Sequence, residues 1–159
     1  WPDEYRTSAR HRDHTICMTA GQIQSGGKRM NIGLLAHNSK KSLMEDFCLA
    51  YKKILEKHEL YATGTTGRRI EEVTKLHVHK FLPGSIGGEK QFVEMIARNE
   101  MDMVIFFYNP LLNSPKEPSI DAICRACDNY NIPIATNIAT AESLILGLAN
   151  GDLEWREQV

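Results

Sequence analysis

The sequence predicts an α/β fold: a five-stranded parallel sheet with helices on both faces. Two observations carry the expectation. Short apolar runs of β-compatible residues alternate with segments of helical periodicity, which is the pattern of β-α crossovers. Polar and glycine-rich residues also follow strands rather than helices, so they gather at one edge of the sheet, where open α/β sheets bind ligands. No internal repeat or low-complexity segment competes with this reading.

The first strand is expected at Ile32–Ala36, followed by His37-Asn38-Ser39-Lys40-Lys41 and a helical pattern from Leu43 to Leu55. The second, Leu60–Ala62, runs into Thr63-Gly64-Thr65-Thr66-Gly67 and a short helix from Arg68 to Val73. Leu76–Phe81 forms the third, with the loop Pro83 to Glu89 and a helix from Phe92 to Ala97. Met103–Phe107 is the fourth, with the connection Tyr108 to Ser119 and a helix from Ile120 to Cys127. Ile132–Ala135 is the fifth, with Thr136 to Thr140 leading into a helix from Ala141 to Leu148. Residues 1–29 read as a flexible N-terminal tail or extension, with Met18 or Met30 as candidate natural starts, and residues 30–159 as one domain.

With 159 residues, 42% hydrophobic and 25% charged, the chain is long enough for one well-filled core. A net charge of -1 gives no global electrostatic reason to expect nucleic acid or an anionic membrane as partner, and favours a small, locally recognised ligand. No stretch approaches a membrane span and the N-terminus lacks an apolar signal core, so a cytoplasmic location is expected. Cys17, Cys48, Cys124 and Cys127 follow no disulfide framework; the last two fall inside a helix and read as reduced thiols or, alternatively, a redox pair.

The stretch Tyr61 to Gly67 carries the most chemistry. Gly64 and Gly67 let the backbone approach an anion, Thr63, Thr65 and Thr66 offer hydroxyls, and the following helix presents unpaired N–H groups at its positive end. The loop is therefore a candidate phosphate cradle, or else a plain β-to-α turn with a threonine cap. It matches neither a dinucleotide nor a Walker pattern.

Ala36-His37, Lys41, Tyr61 to Gly67, Gly84-x-x-Gly87-Gly88, Ile105-Phe106-Phe107 with Pro110, Ile132-Pro133, Ala135-Thr136-Asn137 and Ala139-Thr140-Ala141 together resemble the methylglyoxal synthase family, collinearly from Met30 to about Trp155. The resemblance implies a flavodoxin-like three-layer α/β/α fold and a homohexamer without metal or organic cofactor. It also implies a carbon–oxygen lyase converting dihydroxyacetone phosphate to methylglyoxal and phosphate, with inorganic phosphate as inhibitor or effector. By resemblance, Lys41, Thr63, Gly64, Thr65, Thr66 and Gly84 hold the phosphate, Glu89 is the base, and Lys116 and His37 assist at the carbonyl. On the residues alone, Lys41 is either such a ligand or a solvated charge on a helix's first turn, and His37 either donates to substrate or caps local backbone.

The chain departs from the family at several chemical positions. Glu89 stands where an aspartate is usual, Asn38, Asn109 and Ser119 replace aspartates, and Lys116 replaces a histidine. Two readings follow. Either Glu89 and Lys116 run a slow or altered version of the reaction, or Ser119 merely caps a helix, Lys116 is a loop charge, and the domain is a non-catalytic phosphate or sugar-phosphate binding module. The added positive charge predicts tighter phosphate binding with weaker catalysis. Arg156 is read either as reaching a neighbouring subunit's phosphate or as a solvated terminal charge.

Overall fold

The computed structural model describes residues 29–83, 86–111 and 118–153. Its strands are β1 (Asn31–Ala36), β2 (Glu59–Thr63), β3 (Val78–Phe81), β4 (Met103–Phe107) and β5 (Ile134–Ala135), all parallel in the order β3-β2-β1-β4-β5. The helices are α1 (Lys41–Ala50), the single turn α2 (Lys52–Leu55), α3 (Gly64–Thr74), α4 (Gly88–Ala97), α5 (Ile120–Asn129) and α6 (Ile138–Ala149), with a 3-10 turn at Asn38–Lys40. Residues 29–145 form one compact unit that contains the whole sheet. Residues 146–153 belong to a second unit, in which the Asp152 N–H closes on the Gly147 carbonyl at 2.9 Å.

The strand order fixes the layers. Parallel crossovers are right-handed, so stepping from β1 to β2 to β3 puts α1 and α3 on one face, where they pack together. The return from β3 to β4 and on to β5 runs the other way and puts α4 and α5, also in contact, on the opposite face. The result is the three-layer α/β/α arrangement expected from the sequence. Direction reverses between β1 and β4, so a crevice is expected outside the carboxyl ends of those two strands.

Side-chain alternation fills both faces. Gly33 lies under Phe92: a Cβ at Gly33 would sit 2.2 Å from the ring's Cζ, so the glycine lets α4 approach the sheet. Phe92 packs with Leu35, Val104, Phe106 and Ile123 in one core layer. On the other face the rings of Phe47 and Phe107 meet edge-on, with centroids 5.7 Å apart. Strand β4, flanked by β1 and β5, is buried along its whole length, matching the uninterrupted apolar run Met103–Phe107.

The boundaries differ from the sequence expectation in a consistent direction. Helices α1, α3 and α4 start two to four residues before the apolar pattern does, because first turns built of Lys, Ser, Gly, Thr and Glu carry no periodic signal, and α6 starts at Ile138, three residues before the expected Ala141. Strand β3 starts at Val78 rather than Leu76: Lys75 ends α3 in the left-handed region at φ 63°, and the Leu76 N–H is taken by the Thr74 hydroxyl at 3.2 Å. Strand β5 is two residues long and starts after Pro133, which has no N–H to give. The expected tail up to Lys28, and with it Cys17, lies outside the described residues, as do Gly84, Lys116 and Arg156.

Candidate active site

Every parallel strand delivers its following segment to the same edge, and the candidate residues sit there in two connected groups. The first joins α1 to α3. Lys41 opens α1 and is only 8% exposed; its ammonium donates to the Thr66 hydroxyl at 3.0 Å and to the Ala36 carbonyl at 3.4 Å. The threonine stretch is not a loop at all: helix α3 begins at Gly64, so Thr65 and Thr66 lie in its first turn. Thr63 precedes the helix in extended geometry, and its side chain makes no capping bond, leaving the positive end of an 11-residue helix beside a buried ammonium. Thr63 and Thr66 are buried, whereas Thr65 is exposed. The glycines serve packing as well: a Cβ at Gly67 would come within 2.7 Å of Lys80 Cγ, and one at Gly64 within 3.1 Å of the Phe81 carbonyl oxygen.

The second group spans the reversal point between β1 and β4. His37, 4% exposed, accepts the Asn109 N–H on Nδ1 at 2.9 Å, which commits that lone pair and places the ring proton on Nε2. Nε2 then donates to the Pro118 carbonyl at 2.8 Å. On the other side of the same peptide, the Ser119 N–H donates to Glu89 Oε1 at 3.1 Å. One trans peptide is thus held between the histidine and the carboxylate, which puts the imidazole and carboxylate atoms within about 8 Å of each other across the Pro118–Ser119 unit. Ser119 also caps α5, its hydroxyl accepting the Ala122 N–H at 3.3 Å. Asn109 turns its own side chain back onto the Leu111 N–H at 3.0 Å.

Glu89 reaches this position from the first turn of α4, and two glycines put it there. Gly87 has φ 115°, a conformation L residues rarely adopt. At Gly88 a Cβ would lie 1.8 Å from the Leu82 carbonyl oxygen. Gln91 adds a tie, accepting the Leu82 N–H at 2.8 Å. Because His37 and Lys41 belong to the same β1 exit, the two groups form one continuous rim from Glu89 through Pro118 and His37 to Lys41 and Thr66.

Beside this rim, a cleft of about 310 Å³ opens between the β1, β4 and β5 exits, lined among others by Lys40, Phe107, Tyr108, Thr136 and Asn137. Asn137 caps α6 through the Thr140 N–H at 3.0 Å. The sequence reading assigned no site residue to this cleft, nor to Glu45 and Arg69, which form an ion pair between α1 and α3; neither residue lies in a motif that marks it. Cys48 is a buried thiol, pushed up to about 12 by burial with a contribution from Glu45, and Cys124 and Cys127 are free thiols on α5. Among the described residues, no cluster of three or more His, Cys, Asp or Glu is arranged to hold a metal, and no helix is long and apolar enough to cross a membrane.

Comparison with known proteins agrees with the three-layer fold. Residues 44–136 match the family model of the MGS-like domain. The chain is 60% identical over 130 residues to a methylglyoxal synthase of Caldicellulosiruptor saccharolyticus, covering 82% of this chain and 92% of that one. It is 57% identical over 130 residues to that of a Geobacillus species, covering 82% and 93%. The crystal structure of methylglyoxal synthase from Elizabethkingia anophelis superimposes with a TM-score of 0.71 at 38% identity, over 74% of this chain and 77% of that one. The chain belongs to the methylglyoxal synthase family.

Proposed function

We propose that the protein is a methylglyoxal synthase, a lyase that converts dihydroxyacetone phosphate to methylglyoxal and inorganic phosphate. The observation that carries the reading is the shared rim: a carboxylate, Glu89, and a buried cation beside an open helix N-terminus, Lys41 with Thr66 on α3, both at the carboxyl edge of one sheet. The phosphate dianion sits at the α3 N-terminus against Lys41. Glu89 takes a proton from the hydroxymethyl carbon, the electrons pass through an enediolate, and the carbon–oxygen bond to phosphate breaks. The enol that remains gains a proton on carbon to give methylglyoxal, so one substrate becomes two products with no external oxidant or reductant. His37 acts from the second group: its Nε2–H tautomer holds the Pro118–Ser119 peptide, and that peptide's N–H orients Glu89. Lys116 and Gly84, outside the described residues, are assigned to the carbonyl and the phosphate on the family pattern alone.

The same reading places the enzyme in the cytoplasm as a homohexamer, with inorganic phosphate competing for the α3 seat. The exposed apolar side chains of Leu49, Val73, Ile86 and Leu111 are compatible with association. A second reading, a non-catalytic module that binds phosphorylated ligands, is favoured by one observation: Glu89 is engaged by the Ser119 N–H, and a carboxylate so held can be structural. Turnover decides between them. Pure protein is incubated with dihydroxyacetone phosphate, methylglyoxal is trapped, and wild type is compared with Glu89→Gln. The enzyme reading expects turnover that falls about 10²- to 10⁴-fold in the variant with phosphate affinity retained. No turnover by wild type, with phosphate still bound, establishes the module instead.

A further inference from the structure

Lys41 and Glu45 lie one turn apart on α1, and Thr66 and Arg69 one turn apart on α3. The two helices are therefore joined by two rungs. The upper rung, at the carboxyl edge, is the 3.0 Å contact of Lys41 with Thr66; the lower is the ion pair of Arg69 Nε with Glu45 Oε1. Glu45 is the more enclosed partner, its side chain 17% exposed against 39% for Arg69. Its charge is also felt inside the protein, where it adds to the upward push of burial on the Cys48 thiol. A carboxylate so placed, one turn behind the ammonium, opposes any anion bound at the α3 N-terminus. The guanidinium lies on α3 itself, behind Thr66, and attracts that anion.

We infer that Glu45 and Arg69 are positioning residues that set the anion affinity of the seat in front of them, each cancelling the other's field there. The inference rests on the seat reading of the previous subsection and deepens it. Its signature is opposite sign. Glu45→Gln leaves an uncancelled guanidinium behind the seat at a partly exposed, salt-screened site, which tightens binding about three- to tenfold. Arg69→Gln leaves the carboxylate uncancelled and weakens binding by a similar factor. The double variant returns to within about twofold of wild type, Arg69→Lys stays close to it, and both single effects shrink as ionic strength rises.

The experiment is calorimetric titration of inorganic phosphate into the full chain and these variants at two salt concentrations, with thermal melting to establish that each is folded. Opposed shifts that collapse in the double variant support the inference. A pair that only holds the helices together gives losses of the same sign in both single variants, or no change in either, and each result overturns it. Lys41→Met is the separate control. Unchanged phosphate affinity in that variant, or no binding by wild type, removes the seat and the inference with it, whereas lost binding in Lys41→Met with shifts of one sign removes the inference alone.

Discussion

Gly88→Ala is the sharpest probe of how the fold places Glu89, the proposed base. The added Cβ would sit 1.8 Å from the Leu82 carbonyl oxygen and 2.9 Å from the Leu82 carbonyl carbon, both rigid backbone atoms. Cβ contacts under 3.0 Å are essentially never seen, so the start of α4 must recede from the β3 exit by at least 1.2 Å, from 1.8 to 3.0 Å. Three contacts tie α4's start to its surroundings: Gly88 N–H to the Pro83 carbonyl at 3.1 Å, the Leu82 N–H to Gln91 at 2.8 Å, and the Ser119 N–H to Glu89 at 3.1 Å. None survives a shift of that size with good geometry. A displacement near 1 Å of a reacting group costs about a hundredfold in rate, about 2.7 kcal/mol in the barrier. Overpacking adds about 1–3 kcal/mol of destabilisation. The expected result is kcat for methylglyoxal formation down about a hundredfold or more, together with a lower urea midpoint. Near-normal kcat in Gly88→Ala refutes the placement of Glu89 by α4 packing.

His37→Phe leaves the Asn109 N–H without its acceptor and the Pro118 carbonyl without its donor, so denaturant unfolding is expected to show about 1–3 kcal/mol of lost stability together with a reduced kcat. His58 accepts the Met30 N–H on Nδ1 at 3.0 Å, and burial, then Arg29 and Lys57, hold its pKa below the ordinary 6.5. The unfolded chain therefore takes up the proton first, so this contribution to stability is complete above about pH 6.5 and is lost as pH falls through the lower folded pKa. Melting temperatures between pH 7.5 and 5 should fall more steeply in wild type than in His58→Gln, whose amide oxygen keeps the acceptor without the titration; equal slopes contradict the assignment. Glu59, held below its ordinary range chiefly by the bond to His79, acts in the same direction at more acidic pH, so His79→Phe should raise the pH midpoint of acid unfolding.

Much of the scaffold could be read directly from the chain. The run Met103–Phe107 announced a strand buried on both sides, and the polar segments after each strand announced the edge where ligands bind. What escaped has physical reasons. The first turns at Lys41, Gly64 and Gly88 are polar or glycyl, so periodicity could not show that the apparent threonine loop is already helix. Asn99 and Asn131 end helical segments in the left-handed region, as their type permits, but Lys75 does the same with no signal in its side chain. The tautomer of His37 depends on backbone groups 72 and 81 positions away, and the Glu45–Arg69 pair joins residues 24 apart. Such contacts follow from the strand order, not from local sequence. Ser119 stands where the family pattern has an aspartate, and its hydroxyl is engaged as the cap of α5.

A crystal structure with the stable substrate mimic phosphoglycolate bound decides whether one dianion is held by the strand exits with Glu89 beside its carbon skeleton. The expected complex has phosphate oxygens within hydrogen-bonding distance of the Thr65, Thr66 and Gly67 N–H groups and of the Lys41 ammonium, with the mimic's carboxylate end toward Glu89 and Ser119. A phosphate seated at the amino edge of the sheet, or one at α3 whose carbon end points away from Glu89, contradicts it.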